Sequence, residues 1–230
     1  MGEGRAKALL IDYGGVLYYE EVPITSCSNP RENHVIGEIV RYLRGVGAAE
    51  VSPESVATAI RGWSLEGPVE QSIGYAAAVV LSAHGIRLRP AVVRGLETLL
   101  KSLVTLNSKP LPWARRVLEF AKDFGLYTAL VSNHWCHECV VESLERDGLA
   151  DLLDAVVTSD LVGYCKPDPR IFEAALKLLG VDAGSALFVD DNERNLDGGV
   201  KAGLMGVYRF DRSLGEEAVE GLIEFIKEHV

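Results

Sequence analysis

Five short apolar runs, separated by helical patterns, constrain the fold of this chain more than any other feature. Runs of this kind are typical of parallel strands that are buried on both faces of a sheet. The runs cover residues 7–11, 127–132, 154–159, 185–190 and 205–210. Amphipathic helical patterns cover residues 113–125, 139–149, 168–180, 195–204 and 215–230. Alternation of strand and helix predicts an α/β fold with a doubly wound parallel sheet.

The segment 18–109 interrupts this alternation after the first strand. It has no clear strand pattern and contains several amphipathic stretches, one of which begins at Ser52-Pro53 with an N-cap serine and a proline in the first turn. The sequence "SKPLP" at 108–112 marks the return to the strand–helix pattern. We therefore predict an α/β core formed by 1–17 and 110–230, with an all-helical cap at 18–109 inserted into it.

Charge and hydropathy exclude several classes of partner. The chain has 23 basic and 33 acidic residues and a formal net charge of −10, which disfavours binding to nucleic acid or to an anionic membrane. The N-terminus has no long apolar segment, and the apolar stretch 75–83 is too short to cross a bilayer. We expect a soluble, cytoplasmic protein that binds a small molecule, and the sequence leaves open whether it forms a homodimer.

Polar residues end or follow four of the five predicted strands. The carboxyl ends of parallel strands meet at one edge of the sheet, which is where open α/β folds bind ligands. The residues concerned are Asp12, Ser132-Asn133, Lys166, and Asp190-Asp191 with Asn195 three positions after Asn192. Three aspartates gathered at one edge would repel one another unless a cation lay among them. The pattern predicts a site that contains a divalent cation and Lys166.

These residues form a series of motifs that resembles a known family. In chain order the motifs are D-x-x-G-V-L from Asp12, S-N at 132–133, K-P at 166–167 and D-D-N-x-x-N at 190–195. Together they resemble the haloacid dehalogenase superfamily of hydrolases, whose nucleophile is an aspartate. Within it the chain is similar to the N-terminal phosphatases of soluble epoxide hydrolases and to bacterial sugar-phosphate phosphatases. The helical insert resembles the small cap of that superfamily.

The resemblance implies a role for each residue of the motifs. Asp12 would attack phosphorus and form an aspartyl-phosphate, and Lys166 would neutralise charge on the nucleophile and the phosphate. Ser132 and the backbone at Asn133 would bind the phosphoryl oxygens. The resemblance also implies Mg²⁺, held by the residues Asp12, Asp190, Asp191 and the carbonyl of Gly14, with Asn195 orienting Lys166 or the metal site.

Gly14 departs from the phosphatase pattern. At this position the phosphatases of the family have an aspartate that protonates the leaving group and activates water, and glycine can do neither. General acid–base catalysis is worth about 10²–10⁴ in rate, so its loss would weaken the enzyme without abolishing its chemistry. Glu20, Glu21, His34 or a metal-bound water could replace the missing acid, and the sequence does not rank them.

Two relatives with other chemistry also lack this aspartate. Haloacid dehalogenases need no proton donor for a halide and work without Mg²⁺, and the pair Asp190-Asp191 argues against that chemistry. Phosphonate hydrolases use a cap lysine, but this chain has no lysine between Lys7 and Lys101. We expect a Mg²⁺-dependent phosphatase of a small phosphorylated metabolite. The alternatives are a dehalogenase-like hydrolase and a weakened relative with a binding or regulatory role.

The sequence "HWCHEC" at 134–139 contains a C-x-x-C motif at a predicted helix start. One such pair supplies only half of a typical zinc site. We favour thiols at Cys136 and Cys139 over zinc, with a disulfide as the remaining alternative.

Overall fold

The computed structural model describes residues 5–21, 33–62 and 71–230. Within these residues the chain divides into two compact units. The first unit comprises residues 5–19 and 109–230, and the second comprises residues 20–21, 33–62 and 71–108. The second unit is therefore an insertion in the sequence of the first.

A five-stranded parallel sheet forms the centre of the first unit. Its strands are β1 (Ala8–Ile11), β4 (Tyr127–Ser132), β5 (Ala155–Thr158), β6 (Ala186–Asp190) and β7 (Gly206–Arg209). The strand order is β5-β4-β1-β6-β7, and β1 lies between β4 and β6, with Leu10 opposite Ala129 on one side and Phe188 on the other. The order reverses at β1, so this strand ends at the topological switch point of the sheet.

Alternate residues of β1 enter two different hydrophobic layers, which makes the sheet doubly wound. Leu9 and Ile11 belong to one cluster, and Ala8 and Leu10 belong to the other. The first cluster includes side chains of α5 (Ala114–Asp123), α6 (His137–Arg146) and α10 (Glu216–Lys227). The second includes side chains of α8 (Pro169–Leu179) and α9 (Glu193–Lys201). Helices on both faces explain why the strands read as continuous apolar runs.

The described part of the second unit contains four helices: α1 (His34–Gly45), α2 (Pro53–Arg61), α3 (Ile73–Ala83) and α4 (Pro90–Asn107). Ser52 caps α2 as predicted, because its hydroxyl accepts a hydrogen bond from the Ser55 amide at 3.2 Å. The Ser55 hydroxyl in turn accepts one from the Ser52 amide, which completes a capping box. Buried aliphatic residues on one face of each helix form the core of this unit.

Three short elements depart from the sequence prediction. The strands β2 (Tyr18–Glu20) and β3 (Ser108–Pro110) form a two-stranded sheet at the two ends of the segment for which no strand was expected. The four-residue helix α7 (Ser159–Val162) follows β5 directly. Elements of three or four residues are too short to show a periodicity in the sequence.

Candidate active site

Lys166 lies at the centre of a buried group of charges where β1, β4 and β6 end. Its ammonium group donates hydrogen bonds to Asp12 Oδ1 at 2.7 Å and to Asp190 Oδ2 at 2.6 Å. The third bond goes to the carbonyl oxygen of Val131 at 2.8 Å, so all three N–H donors have acceptors. The side chain of Lys166 is only 1% exposed, so solvent barely screens either ion pair.

Asp190 is held from several directions. Its Oδ1 accepts hydrogen bonds from the Asn192 amide at 2.8 Å and from Asn195 Nδ2 at 3.0 Å. Asn195 Nδ2 also lies 3.1 Å from Oδ2, and the Asp190 side chain is fully buried. Asn195 was expected to orient Lys166 or the metal site, and the structure places its side-chain amide on Asp190. Asp190 in turn fixes the position of the Lys166 ammonium.

Three carboxylates meet at this point. Ligand atoms of Asp12, Asp190 and Asp191 all lie within 4.8 Å of one another. Burial raises the pKa of Asp12 to about 6; Lys166 opposes this shift and Asp190 adds to it. Burial, and then the charge of Asp190, raises the pKa of Asp191. Three acidic groups against one ammonium leave an excess of negative charge, and a divalent cation with oxygen ligands would balance it. The donor set therefore fits Mg²⁺.

The loop after β1 brings backbone close to the third carboxylate. Gly15 has φ of +81°, and a Cβ atom there would lie 2.1 Å from Asp191 Oδ2. The positive φ favours glycine at this position, and a side chain here would also force the Asp191 carboxylate to move. Gly14 is different: its φ is not positive, and a Cβ atom there would meet nothing within 4 Å. The backbone at Gly14 therefore accepts a Cβ atom without a clash.

Asn133 ties the end of β4 to the loop that carries Lys166. Asn133 Nδ2 donates to the carbonyl of Lys166 at 2.9 Å, and its Oδ1 accepts from the Lys166 amide at 2.6 Å. The side-chain amide is therefore occupied by backbone, while Ser132 is buried as the last residue of β4. The two residues reach the same edge of the sheet as Asp12, as predicted from the strand pattern.

A glycine allows α9 to pack against the same loop. A Cβ atom on Gly198 would lie 2.6 Å from the carbonyl oxygen and 2.7 Å from the Cα of Pro167. Pro167 follows Lys166 through a cis peptide bond. The helix that begins at the Asp190 loop thus supports the Lys166 loop.

Several functional contacts have no counterpart in the sequence prediction. The Val131 carbonyl and the Asn192 amide are backbone groups, and a motif gives no sign of what backbone groups bind. The close approach of the Gly15 backbone to Asp191 was not predicted from the sequence. Of the alternative acids, Glu20, Glu21 and His34 all belong to the second unit, where Glu21 and His34 line a pocket of about 330 Å³ with five other residues.

Cys136 and Cys139 form a disulfide at the first turn of α6. The preference for two thiols was therefore wrong. Cys136 is the N-cap residue and Cys139 lies in the first turn, which brings their Cα atoms to 5.4 Å, within the range that a disulfide can bridge.

The sequence is similar to those of known hydrolases. A family model described as haloacid dehalogenase-like hydrolase matches residues 6–203. A phosphatase of Mycobacterium tuberculosis is 38% identical over 102 residues, which are 44% of this chain and 46% of the relative. An (S)-2-haloacid dehalogenase of Burkholderia cepacia is 35% identical over 92 residues, which are 40% of this chain and 39% of the relative. The matched part of this chain thus spans less than half the length of either relative.

The fold is also found in solved structures. The crystal structure of a HAD phosphatase from Thermococcus onnurineus superposes with a TM-score of 0.63 and 23% sequence identity, over 90% of this chain and 86% of that one. At this identity the likeness shows the fold alone. Within the described residues, no helix has both the length and the apolar character needed to cross a membrane.

Proposed function

The chain belongs to the haloacid dehalogenase-like hydrolase family, and from this premise we propose that it hydrolyses phosphate monoesters of small metabolites. The observation that carries the proposal is the position of Lys166. Its ammonium bridges Asp12 and Asp190 at the switch point of the sheet, next to a third carboxylate. A phosphoryl group brings negative charge into a site, so it needs the fixed positive charge that this cluster can hold. The phosphatase relative adds support for this substrate class.

Asp12 supplies the nucleophile in the proposed reaction. Its Oδ1 is fixed by Lys166, so the other carboxylate oxygen attacks phosphorus while the bond from phosphorus to the ester oxygen breaks. The leaving alkoxide takes a proton from solvent water and departs as an alcohol. Water then attacks the phosphorus of the aspartyl-phosphate and loses a proton to solvent, while the bond from phosphorus to the Asp12 oxygen breaks; inorganic phosphate leaves and the Asp12 carboxylate is restored. Ser132 and the backbone amide of Asn133 are proposed to bind the phosphoryl oxygens, and Lys166 is proposed to balance the charge of those oxygens.

Mg²⁺ would be held by Asp12, Asp191 and the Gly14 carbonyl, with Asp190 contributing where its hydrogen bonds allow. When bound, the ion would supply a Lewis acid that draws charge from the phosphoryl oxygens. We place Asp191 before Asp190 as a ligand because Asp191 is exposed, while Asp190 is fully buried and accepts from Lys166, Asn192 and Asn195.

Replacement of the nucleophile gives the first prediction. Asp12→Asn should lower the turnover of p-nitrophenyl phosphate by roughly 10³-fold or more, because an amide cannot form the acyl phosphate. Initial rates with and without Mg²⁺ measure the effect. Asp123→Asn is the matched control, since Asp123 is an exposed aspartate at the end of α5, and it should retain full activity. Residual activity near wild type in Asp12→Asn would remove Asp12 from this role.

Dehalogenation is the alternative function. The absence of an acid at position 14 and the similarity to a dehalogenase both favour it, and the same protein preparation can distinguish it from phosphatase activity. Chelation of divalent cations should abolish phosphate release by a phosphatase. Release of halide from a 2-haloacid in the presence of chelator, without phosphatase activity, would replace the proposed function with dehalogenation.

A further inference from the structure

We propose that Cys136 and Cys139 are a redox-active pair whose reduction slows the reaction at the site, an inference that rests on the proposed function. The disulfide closes a short turn that begins three residues after Asn133, which follows Ser132 at the end of β4. Neither cysteine is used by the proposed chemistry. The pair therefore offers a modification site separate from the reacting groups but linked to them by a short chain of contacts.

The contacts begin at the turn itself. The Cys136 amide donates to His134 Nδ1 at 3.1 Å, so the imidazole holds the backbone of the disulfide turn. The His134 amide donates to Ser159 Oγ at 2.9 Å, and this hydroxyl lies 3.3 Å from the His134 carbonyl. His137, inside the turn, donates its amide to Asp160 at 2.9 Å. The turn and its loop are thus bound at two points to the segment after β5.

The contacts end at the reacting groups on two sides. On one side, Asn133 precedes His134 and clamps the Lys166 backbone through its side-chain amide. On the other side, the His134 ring packs edge-on against Tyr13, with ring centroids 5.8 Å apart, and Tyr13 follows Asp12. A shift of the turn at Cys136 would move His134 and, through it, the residues that set the distance between Asp12 and Lys166.

Burial makes such a shift necessary when the bond breaks. Cys136 is 2% exposed and Cys139 is 1% exposed. Two thiols need more room than a disulfide because their sulfur atoms move from bonding distance to van der Waals contact, and a packed interior has no spare volume. The start of α6 and the preceding loop must take up the change.

The position at the helix start also favours the reduced form of the pair. Cys136 is the N-cap of α6, and its sulfur accepts a hydrogen bond from the Cys139 amide at 3.2 Å. Amide donors and the positive end of a helix stabilise a thiolate, and stabilising the reduced form favours reduction. The co-reactant is a dithiol, which becomes a disulfide as it passes two electrons and two protons to Cys136 and Cys139, breaking the bond between their sulfurs.

The test uses the whole protein before and after dithiothreitol treatment, followed by reoxidation. Alkylation under denaturing conditions and mass measurement of the peptide with both cysteines report the redox state. We expect no alkylation of this pair before reduction and alkylation of both residues after it. Hydrolysis of p-nitrophenyl phosphate should fall about tenfold or more on reduction and recover on reoxidation, since a misplacement of about 1 Å can cost 10²-fold.

Cys136→Ser/Cys139→Ser is the control, and its rate should stay low with and without dithiothreitol. The fluorescence of Trp135, taken as the difference between wild type and Trp135→Phe, reports the conformation of this loop independently of enzyme activity. It should change with the redox state. Alkylation of both cysteines before reduction, an unchanged rate after it, or unchanged Trp135 fluorescence would each overturn the proposal. Absence of hydrolysis in both states would refute the proposed function instead, and alkylation with fluorescence would still decide whether the pair is redox-active.

Discussion

Lys166 carries a positive charge where almost no water reaches it, and the residues around it explain why the charge persists. Burial by itself lowers the pKa of a lysine, but the charges and hydrogen bonds of Asp12 and Asp190 outweigh that effect and raise the pKa of Lys166. Removing either carboxylate would leave a buried charge with fewer partners, which is costly. The three side chains therefore act as one unit, and single substitutions among them will not have additive effects.

A substitution at Gly14 tests whether the site lacks a general acid. Gly14→Asp should raise turnover of alkyl phosphates, whose leaving groups need a proton, by a factor that approaches the 10²–10⁴ typical of general acid catalysis. The backbone can carry a side chain here, since φ is not positive and nothing lies within 4 Å of the added Cβ. Hydrolysis of p-nitrophenyl phosphate should change little, because its leaving group needs little protonation.

The matched control for this prediction is Gly14→Asn, which adds the same bulk without an acid. If both variants behave alike on alkyl phosphates, or if Gly14→Asp gains nothing, another group already protonates the leaving group. Steady-state rates on one alkyl and one aryl phosphate ester give the ratio of alkyl to aryl turnover for each variant.

Asn133 gives a second prediction about a single side chain. Asn133→Ala should lower kcat by about 10- to 100-fold, because Lys166 loses both hydrogen bonds that fix its backbone. Asn133→Asp should be similarly impaired, since a carboxylate cannot donate to the Lys166 carbonyl. KM should change less than kcat if phosphate contacts only the backbone at this position. A large rise in KM with unchanged kcat would instead make the side chain a substrate ligand.

At the scale of helices and strands, the pairing of each strand with the helix that follows it positions the site. The Asp190-Asp191 pair ends β6 and opens the turn into α9, and α9 then packs on Pro167 through Gly198. One βα unit thus supports both an acidic residue and the loop that carries its partner lysine. This support depends on a distance that only glycine permits.

Gly198→Ala tests that dependence. The added methyl group would overlap backbone atoms of Pro167, so either α9 or the Lys166 loop must move. We expect a loss of about 1–3 kcal/mol in the free energy of unfolding, as for other overpacked sites, and a lower kcat. Chemical denaturation and steady-state kinetics measure the two effects.

Gly37→Ala is the control for this variant, because Gly37 is also within a helix and has open space around its Cα. It should be neutral or slightly stabilising. Equal stability of Gly198→Ala and wild type would show that the loop absorbs the methyl group freely.

The same elements show what the sequence could and could not predict. The five strands of the sheet were located within one residue at each end, because strands buried on both faces are continuous apolar runs. Asp12 and Asp190 were expected to meet because parallel strands end at one edge. The bond from Asn195 to Asp190 could not be predicted, nor could the Asn133 clamp, because each depends on the path of a loop. The disulfide depended on the geometry of a helix start in the same way.

At the scale of the whole molecule, stability should depend on pH through a buried histidine. Burial lowers the pKa of His134 to about 4, well below the value of about 6.5 expected in the unfolded chain. Between these values His134 binds more protons in the unfolded chain than in the folded one, so its contribution to stability falls as pH falls from about 6.5 to about 4. The full shift corresponds to about 3 kcal/mol.

His134→Asn isolates this contribution. Asparagine keeps an acceptor for the Cys136 amide but does not titrate, so the variant should lose less stability than wild type over this pH range. Urea unfolding at several pH values, without divalent cations, measures the difference. Asp12, whose raised pKa acts in the opposite direction, is present in both proteins and cancels. Parallel pH profiles for the two proteins would contradict the prediction.

The two short strands where the chain leaves and rejoins the sheet-forming unit have an evolutionary consequence. β2 and β3 pair with each other, so the inserted segment has its entrance and exit side by side. A replacement segment of different length or sequence can be joined at these neighbouring points while the register of β1 with β4 and β6 is retained. The inserted unit and the sheet-forming unit can therefore diverge at different rates, because a change in the length of the first need not disturb Asp12, Lys166 or Asp190.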